Sequence, residues 1–308
     1  MKEQPEKKYV RKTKTKTRVL QARGALKLAA DTLKGLGGAG ARWAADEARV
    51  ILRDGLGFDM LHVYRDNPPL TESQLRKLKR ILARRKKREP LQYILGFVWF
   101  YGLKLRVGKG ALIPRPETEI LVEEVLRFTA RRGETKVKIL DLCTGSGAIA
   151  LALARNLPDA EIVASDISGE ALRWAERNAR ENAAGNVRFL KGDLFGSLPE
   201  GKTKSLFDII TANPPYITDS MLARLEPEIA CWEPEVALSG GPDGLDLVRR
   251  IISGAPARLT AGGLLFIEVA AGTDPDLLAR LSREAGLEMK ALVRDLAGLE
   301  RVFVARKM

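Results

Sequence analysis

The chain is expected to be an α/β protein: a doubly wound, mostly parallel sheet that follows a small helical domain. Three observations carry this. From about residue 117 onward, strand-like and helix-like segments alternate, the pattern of a sheet covered by helices on both faces. Residues 19–95 are instead rich in Leu, Ala and Arg at helical spacing. The apolar run Leu206 to Ala212 stops at Asn213-Pro214-Pro215-Tyr216, because neither proline can donate a ladder hydrogen bond and both fix φ.

Residues 1–18 carry eight Lys/Arg against two Glu and show no apolar periodicity, so a basic, disordered tail is expected. The helical domain spans 19–95, with helices over Ala41 to Leu52 and Thr71 to Ala83. Asn67-Pro68-Pro69 breaks the chain before the second, which Thr71-Glu72-Ser73-Gln74 opens as a capping box. The basic run Arg84 to Arg88 reads as a solvated face with favourable charge at a helix C-terminus, in preference to a nucleic-acid contact. Residues 96–116 turn to aromatic and β-branched residues punctuated by glycine, hairpin chemistry for a linker between domains. The sheet domain spans 117–308. Its candidate strands are Val137–Leu142, Glu161–Asp166, Val187–Leu190, Phe207–Ala212, Leu264–Val269, Glu288–Val293 and Arg301–Ala305, with helices over Ala148–Arg155 and Ser168–Ala183. Only a short turn around Gly298 separates the last two strands, which are therefore expected to pair antiparallel at the sheet's edge.

Composition narrows the function. Of 308 residues 45% are hydrophobic, enough for a sizeable core. No apolar run approaches the roughly 20 residues that cross a bilayer, and no signal-peptide pattern is seen. The cysteines, Cys143 and Cys231, lack metal-ligand spacing, so no metal is expected and the setting is read as reducing and cytoplasmic. His62 is the only histidine, which argues against histidine triads and histidine metal sites. The net charge of +13 favours polyanionic neighbours, but much of it sits in the tail.

The chemistry gathers at strand ends, where ligands bind in an open α/β sheet. Asp141-Leu142-Cys143-Thr144-Gly145-Ser146-Gly147 leaves the first strand and enters a helix; its glycines allow close backbone approach and the helix start offers free amides. The three-glycine dinucleotide fingerprint is absent, and Asp141 would repel a pyrophosphate. An acid there suits a cation such as an ammonium group, directly or through water, which points from NAD towards S-adenosylmethionine. Asp166 ends the second strand, placed to accept ribose hydroxyls or, in the competing reading, to cap a helix. Asp193-Leu194-Phe195 follows the third, where the carboxylate suits an adenine amino group and the apolar pair suits the ring. After the fourth strand, Asn213 and Tyr216 offer a planar amide beside an aromatic face, on backbone stiffened by Pro214 and Pro215. That device suits a flat, amide-like nitrogen.

With these pieces placed, the chain resembles the protein (glutamine-N5) methyltransferases that modify peptide chain release factors. The resemblance covers roughly residues 75–308. It rests on the segments Arg88 to Gly96, Leu112 to Glu119 (Leu-Ile-Pro-Arg-Pro-Glu-Thr-Glu), Asp141 to Gly147 and Asn213 to Ile217. It continues through Glu233 to Leu238, Gly240 to Leu245 and Gly298 to Val302. Asn-Pro-Pro-Tyr alone is shared with DNA and RNA adenine methyltransferases; its combination with Pro-Arg-Pro-Glu-Thr-Glu is far more specific. After Glu268 the family commonly continues with a glycine and then a glutamine, whereas this chain reads Val269-Ala270-Ala271-Gly272.

The resemblance implies a Rossmann-like, seven-stranded methyltransferase domain that uses S-adenosylmethionine and no metal, with a helical domain that docks the protein substrate. It implies methylation of the glutamine in the Gly-Gly-Gln motif of release factors, without direct nucleic-acid binding or a membrane. Asn213 and the Pro214 carbonyl would accept the two amide hydrogens, Tyr216 would pack on the amide and Pro215 would keep the turn rigid. The cofactor would lie against Asp141, Cys143 to Gly147, Asp166, Asp193, Leu194 and Asn213. The segment Pro114 to Glu119 is expected at the mouth of the site, with Arg115 and Glu119 paired, and Phe100 and Tyr101 either border the pocket or pack as core. The alternative function is adenine-N6 methylation of DNA or RNA, for which no target-recognition domain is seen.

Overall fold

The computed structural model describes residues 19–133, 136–198 and 206–308; the expected tail, residues 1–18, lies outside them. The chain divides into two compact units, Met1–Lys87 and Arg88–Met308.

In the first unit, Ala22–Lys34 turns Ala22, Ala25, Ala29 and Leu33 inward, the stripe that i, i+3/i+4 spacing produces. The helix expected from Ala41 to Leu52 is divided. Trp43 leaves helical geometry between Gly38–Arg42 and Ala44–Val50, and Ile51–Gly55 forms a π-helical turn. Glu72–Arg85 carries the expected capping box: Thr71 Oγ1 accepts from Gln74 N at 3.2 Å and Gln74 Oε1 accepts from Thr71 N at 3.0 Å.

The basic run departs from its expected solvated role. Arg85 continues the stripe of Leu78, Ile81 and Leu82, so it is buried, and its guanidinium donates to both carboxylate oxygens of Glu47. Arg88, which opens the second unit, donates to Glu226 and Glu228 at 2.9 and 2.8 Å. Charge runs read locally as surface because their distant partners are invisible in sequence.

In the second unit, β1 (Phe97–Phe100) and β2 (Leu103–Arg106) form an antiparallel hairpin. Tyr101 and Gly102 turn it with φ of 46° and 73°, the positive values a two-residue hairpin turn requires. The main sheet contains β3 (Lys138–Leu142), β4 (Glu161–Asp166), β5 (Val187–Lys191), β6 (Phe207–Ala212), β7 (Leu259–Glu268), β8 (Leu287–Arg294) and β9 (Glu300–Lys307). Its order is β5-β4-β3-β6-β7-β9-β8. The first five of these run parallel, and β9 enters antiparallel between β7 and β8, so the expected terminal hairpin forms at the edge. Strand β7 begins at Leu259 rather than Leu264. Phe207 faces Leu259 but Ile209 faces Leu264, and Gly262, at φ 74°, lets the intervening residues bulge.

Alternation along the strands feeds two cores. Ile139, Ile209, Phe266 and Val304 pack on one face; Leu140, Ile210, Ile267 and Phe303 pack on the other. Strand order reverses between β3 and β6, and the crevice outside that switch point is the natural ligand site.

Asn178 ties the hairpin to this crevice. Fully buried on the helix Gly169–Glu181, it accepts from Arg106 N at 2.6 Å and donates to the carbonyls of Arg106 and Ser146, each at 3.0 Å. Asn178→Ala strands these backbone groups, and urea unfolding should show a loss of about 2 kcal/mol or more at unchanged m-value.

Candidate active site

The loops after β3, β4, β5 and β6 enclose a cavity of about 370 Å³. Of the residues singled out in the sequence, Cys143, Thr144, Gly145, Ser146, Asp166, Asp193, Leu194, Asn213 and Pro215 line it; Asp141, Gly147, Pro214 and Tyr216 do not.

Asp141 is fully buried beneath the loop. The parallel register sets it beside Thr211, whose hydroxyl donates to it at 2.8 Å. Burial pushes its carboxyl up to about 7 against that hydrogen bond. Any effect on a ligand therefore passes through the loop it supports. Gly147 packs rather than binds: at φ 86°, a Cβ there would lie 3.2 Å from that of Ala175. Cys143 holds φ 56° without being glycine, a strained conformation that aims backbone at the cavity. Burial, with Asp166, Asp141 and Asp193 nearby, pushes its thiol up, so Cys143 stays protonated.

Asp166 closes the loop from the next strand. Its oxygens accept from Gly145 N and Ser168 N, each at 2.8 Å, and each keeps acceptor capacity for a hydroxyl in the cavity. Ser168, not Asp166, supplies the side-chain cap to the helix Gly169–Glu181. Burial raises the Asp166 pKa against these amides. Asp193 is half-exposed and paired with Arg250 at 2.7 Å, a cavity-lining partner that nothing in the local sequence announced. Leu194 reaches the cavity wall at φ 47°. Phe195 packs instead against Gly254, where a Cβ would lie 2.5 Å from its ring.

Asn213 leaves β6 with its Nδ2 donating to Thr118 Oγ1 at 3.2 Å. The amide oxygen is thereby left for a donor in the cavity. The turn that carries it is clamped from behind. Ile217 N donates to Leu238 O at 2.9 Å, and Gly240 N to Ile217 O at 2.8 Å. A Cβ on Gly244, at φ 78°, would lie 2.4 Å from the Tyr216 carbonyl oxygen, which accounts for glycine in the Gly-Gly-Pro-Asp-Gly segment. The Tyr216 hydroxyl donates to Glu268 Oε1 at 3.4 Å, and burial raises its pKa. Glu268 ends β7 fully buried. Burial pushes it up to about 7; the Thr118 hydroxyl opposes the rise and Glu117 adds to it.

The expected Arg115–Glu119 pair does not form. Arg115 donates to buried Glu233 at 2.5 Å, and the second Glu233 oxygen accepts from Ile113 N at 3.0 Å. Glu119 instead accepts from Tyr101 N at 2.7 Å. Phe100 is buried core, and Tyr101 packs against the same cluster; neither lines the cavity. Pro114, Arg115 and Thr118 line the cavity, as expected of the segment at its mouth, but Thr118 was given no role from sequence, and Glu233, Arg250 and Glu268 were not assigned to the site. For Glu268 a signal existed: an acid closes β7, as Asp166 closes β4.

The close approach of Gly244 is separable from its backbone strain. Gly244→Ala and Gly298→Ala both impose a Cβ near φ 80°, but no atom lies within 4 Å at Gly298. Both should lose about 1 kcal/mol to strain. Gly244→Ala should lose measurably more in denaturant unfolding, because the Tyr216 turn has to move.

Residues 25–96 match the PrmC N-terminal domain, and residues 134–233 match a methyltransferase domain. The chain is 42% identical over 261 residues to the release factor glutamine methyltransferase of Thermodesulfovibrio yellowstonii, covering 85% of this chain and 92% of that one. It is 40% identical over 261 residues to that of Geobacter sulfurreducens, covering 84% and 88%. The catalytic domain of hMettl16, solved in complex with MAT2A 3′UTR hairpin 6, matches with TM-score 0.52 at 16% identity over 67% of this chain and 76% of that one. That last likeness concerns the fold alone. On the identity and coverage of its relatives, this chain belongs to the release factor glutamine methyltransferase family.

Proposed function

We propose that the chain transfers the methyl group of S-adenosylmethionine to the side-chain amide nitrogen (N5) of the glutamine in the Gly-Gly-Gln motif of peptide chain release factors, in support of translation termination. The observation that carries this reading is the orientation of Asn213. Its NH2 donates to Thr118, which turns that end of the amide to Thr118 and leaves its oxygen to meet a substrate N–H.

A glutamine nitrogen is a poor nucleophile because its lone pair is delocalised into the carbonyl. Asn213 Oδ1 and the Pro214 carbonyl, gripping its two hydrogens, favour the tetrahedral character that frees the lone pair. Pro214 and Pro215 keep both acceptors fixed, so little reorganisation is needed at the moment of reaction. When bound, S-adenosylmethionine would supply an electrophilic methyl group, the new N–C bond replacing its C–S bond and the electron pair remaining on sulfur. The methylated amide then gives its surplus proton to water, so the turn needs no general base.

The residues fit such a donor. Asp166 retains acceptor capacity for ribose hydroxyls, and Asp193 and Leu194 offer a polar and an apolar contact for adenine. Ser146 Oγ and Ser165 Oγ, both buried, have no hydrogen-bond partner among the described residues, and both residues line the cavity, as a polar ligand would require. Among the described residues no group of His, Cys, Asp and Glu is arranged to hold a metal, and no helix is long and apolar enough to cross a membrane. The helical unit is proposed to dock the release factor, which implies a cytoplasmic setting. Adenine-N6 methylation shares the Asn-Pro-Pro-Tyr device, but no observation on this chain favours it.

Purified enzyme should move labelled methyl from S-adenosylmethionine to a release factor, and replacing the glutamine of the factor's Gly-Gly-Gln motif should abolish labelling. Asn213→Ala should lower kcat on the order of 10²–10³-fold while calorimetry still detects cofactor binding. Labelling that survives the glutamine replacement, or label on DNA instead, would sink the assignment.

A further inference from the structure

The segment from Gly108 to Arg115 forms one wall of the cavity, which Gly110, Ala111, Leu112, Pro114 and Arg115 all line. It contains neither helix nor strand, so no regular ladder of backbone hydrogen bonds holds it in place. Side chains pin its backbone instead. The Tyr93 hydroxyl donates to Ala111 O at 2.6 Å, and Ile113 N donates to Glu233 at 3.0 Å. Nearer the hairpin, Trp174 Nε1 donates to Lys109 O at 3.0 Å.

Trp174 differs from the other pins in where it stands. It lies on the helix Gly169–Glu181, whose N-cap Ser168 and residue Ala171 belong to another wall of the cavity. Trp174 therefore joins two walls. The joint is close: a Cβ on Gly108 would lie 2.5 Å from Trp174 Cζ2, and one on Gly110 2.5 Å from Glu170 Oε2. Glycine at both positions lets the segment lie directly against the helix.

We propose that Trp174 is a positioning residue for the cofactor: it fastens the Gly108–Arg115 segment to the helix that follows Asp166, and so sets how long S-adenosylmethionine stays bound. The proposal rests on the cofactor assigned to this cavity above. Transfer takes place at Asn213 and Pro214, so Trp174 acts on binding and not on the chemical step. Its indole has one N–H and no acceptor; the Lys109 carbonyl takes that proton while the ring packs on Gly108. Loss of the joint frees one wall locally and leaves the sheet intact.

Trp174→Phe keeps an aromatic ring and removes the N–H. Calorimetry should show the dissociation constant for S-adenosylmethionine rise about 3- to 10-fold, mainly through faster release. KM for the cofactor should rise in step, while KM for the release factor and kcat at saturating cofactor change little. Gly108→Ala approaches the joint from the other side, because its methyl needs the space of the indole. It should weaken binding in wild type but add nothing in Trp174→Ala, where the ring is gone. Hydrogen exchange gives a readout without ligand: amides of the Gly108–Arg115 segment should exchange faster in Trp174→Phe, with those of β3 to β6 unchanged.

A Trp174→Phe protein with wild-type cofactor affinity overturns the proposal. So does a loss confined to kcat, additive effects of Gly108→Ala and Trp174→Ala, or faster exchange throughout the sheet. Wild type that binds no S-adenosylmethionine would sink the functional reading and this proposal with it. Binding that survives both single substitutions unchanged sinks this proposal alone.

Discussion

The hydrogen bond from Asn213 to Thr118 is the contact on which the catalytic end of the cavity depends. It joins two segments 95 residues apart, the turn leaving β6 and the start of the helix Glu119–Arg132. Neither segment could hold the geometry alone. The Thr118 side is fixed because Arg115 and Ile113 are both bound by Glu233, which anchors the approach to the Pro116–Thr118 turn. The Asn213 side is fixed because the Gly240–Gly244 loop presses on the Tyr216 backbone. A bond of 3.2 Å between two neutral groups is modest in energy. Its value lies in the rigidity of what it joins, since an acceptor that moves by an ångström no longer selects for the transition state.

The fold was readable from local pattern wherever the cause was local. Alternating apolar runs gave the strands of the sheet, Thr71 and Gln74 gave a capping box that forms as expected, and the brevity of the turn at Gly298 gave the terminal hairpin. Misreadings occurred where a distant residue decides. Gly262 and Gly263 look like a break, but pairing with β6 turns them into a bulge inside β7. Arg85 looks like part of a solvated basic run, but Glu47 lies opposite and makes burial tolerable. Arg115 has Glu119 four residues away and Glu233 118 residues away; nothing in the sequence alone says that the farther one wins.

The same distinction divides the site. Asp166, Leu194 and Asn213 were legible because each ends or follows a strand, and strand ends at a switch point face the crevice. Asp141 was read by the same rule yet lies fully buried, because it pairs with Ala164, two residues short of Asp166, and so sits inside the sheet rather than at its end. The four residues whose roles the sequence did not show act on others rather than on a ligand alone. Thr118 accepts from Asn213, Glu233 holds Arg115 and Ile113, Arg250 engages Asp193, and Glu268 accepts from Tyr216. A residue that acts through another leaves no motif of its own.

The net charge of +13 says little about the site, where the signs balance: Asp166 and Asp193 line the cavity with Arg115 and Arg250, and Asp141 and Glu268 are buried. Two of these, Asp141 and Glu268, are held near 7 by burial, so near neutral pH each lies close to balance between neutral and charged forms. A cation brought within Coulomb range favours the charged form of both.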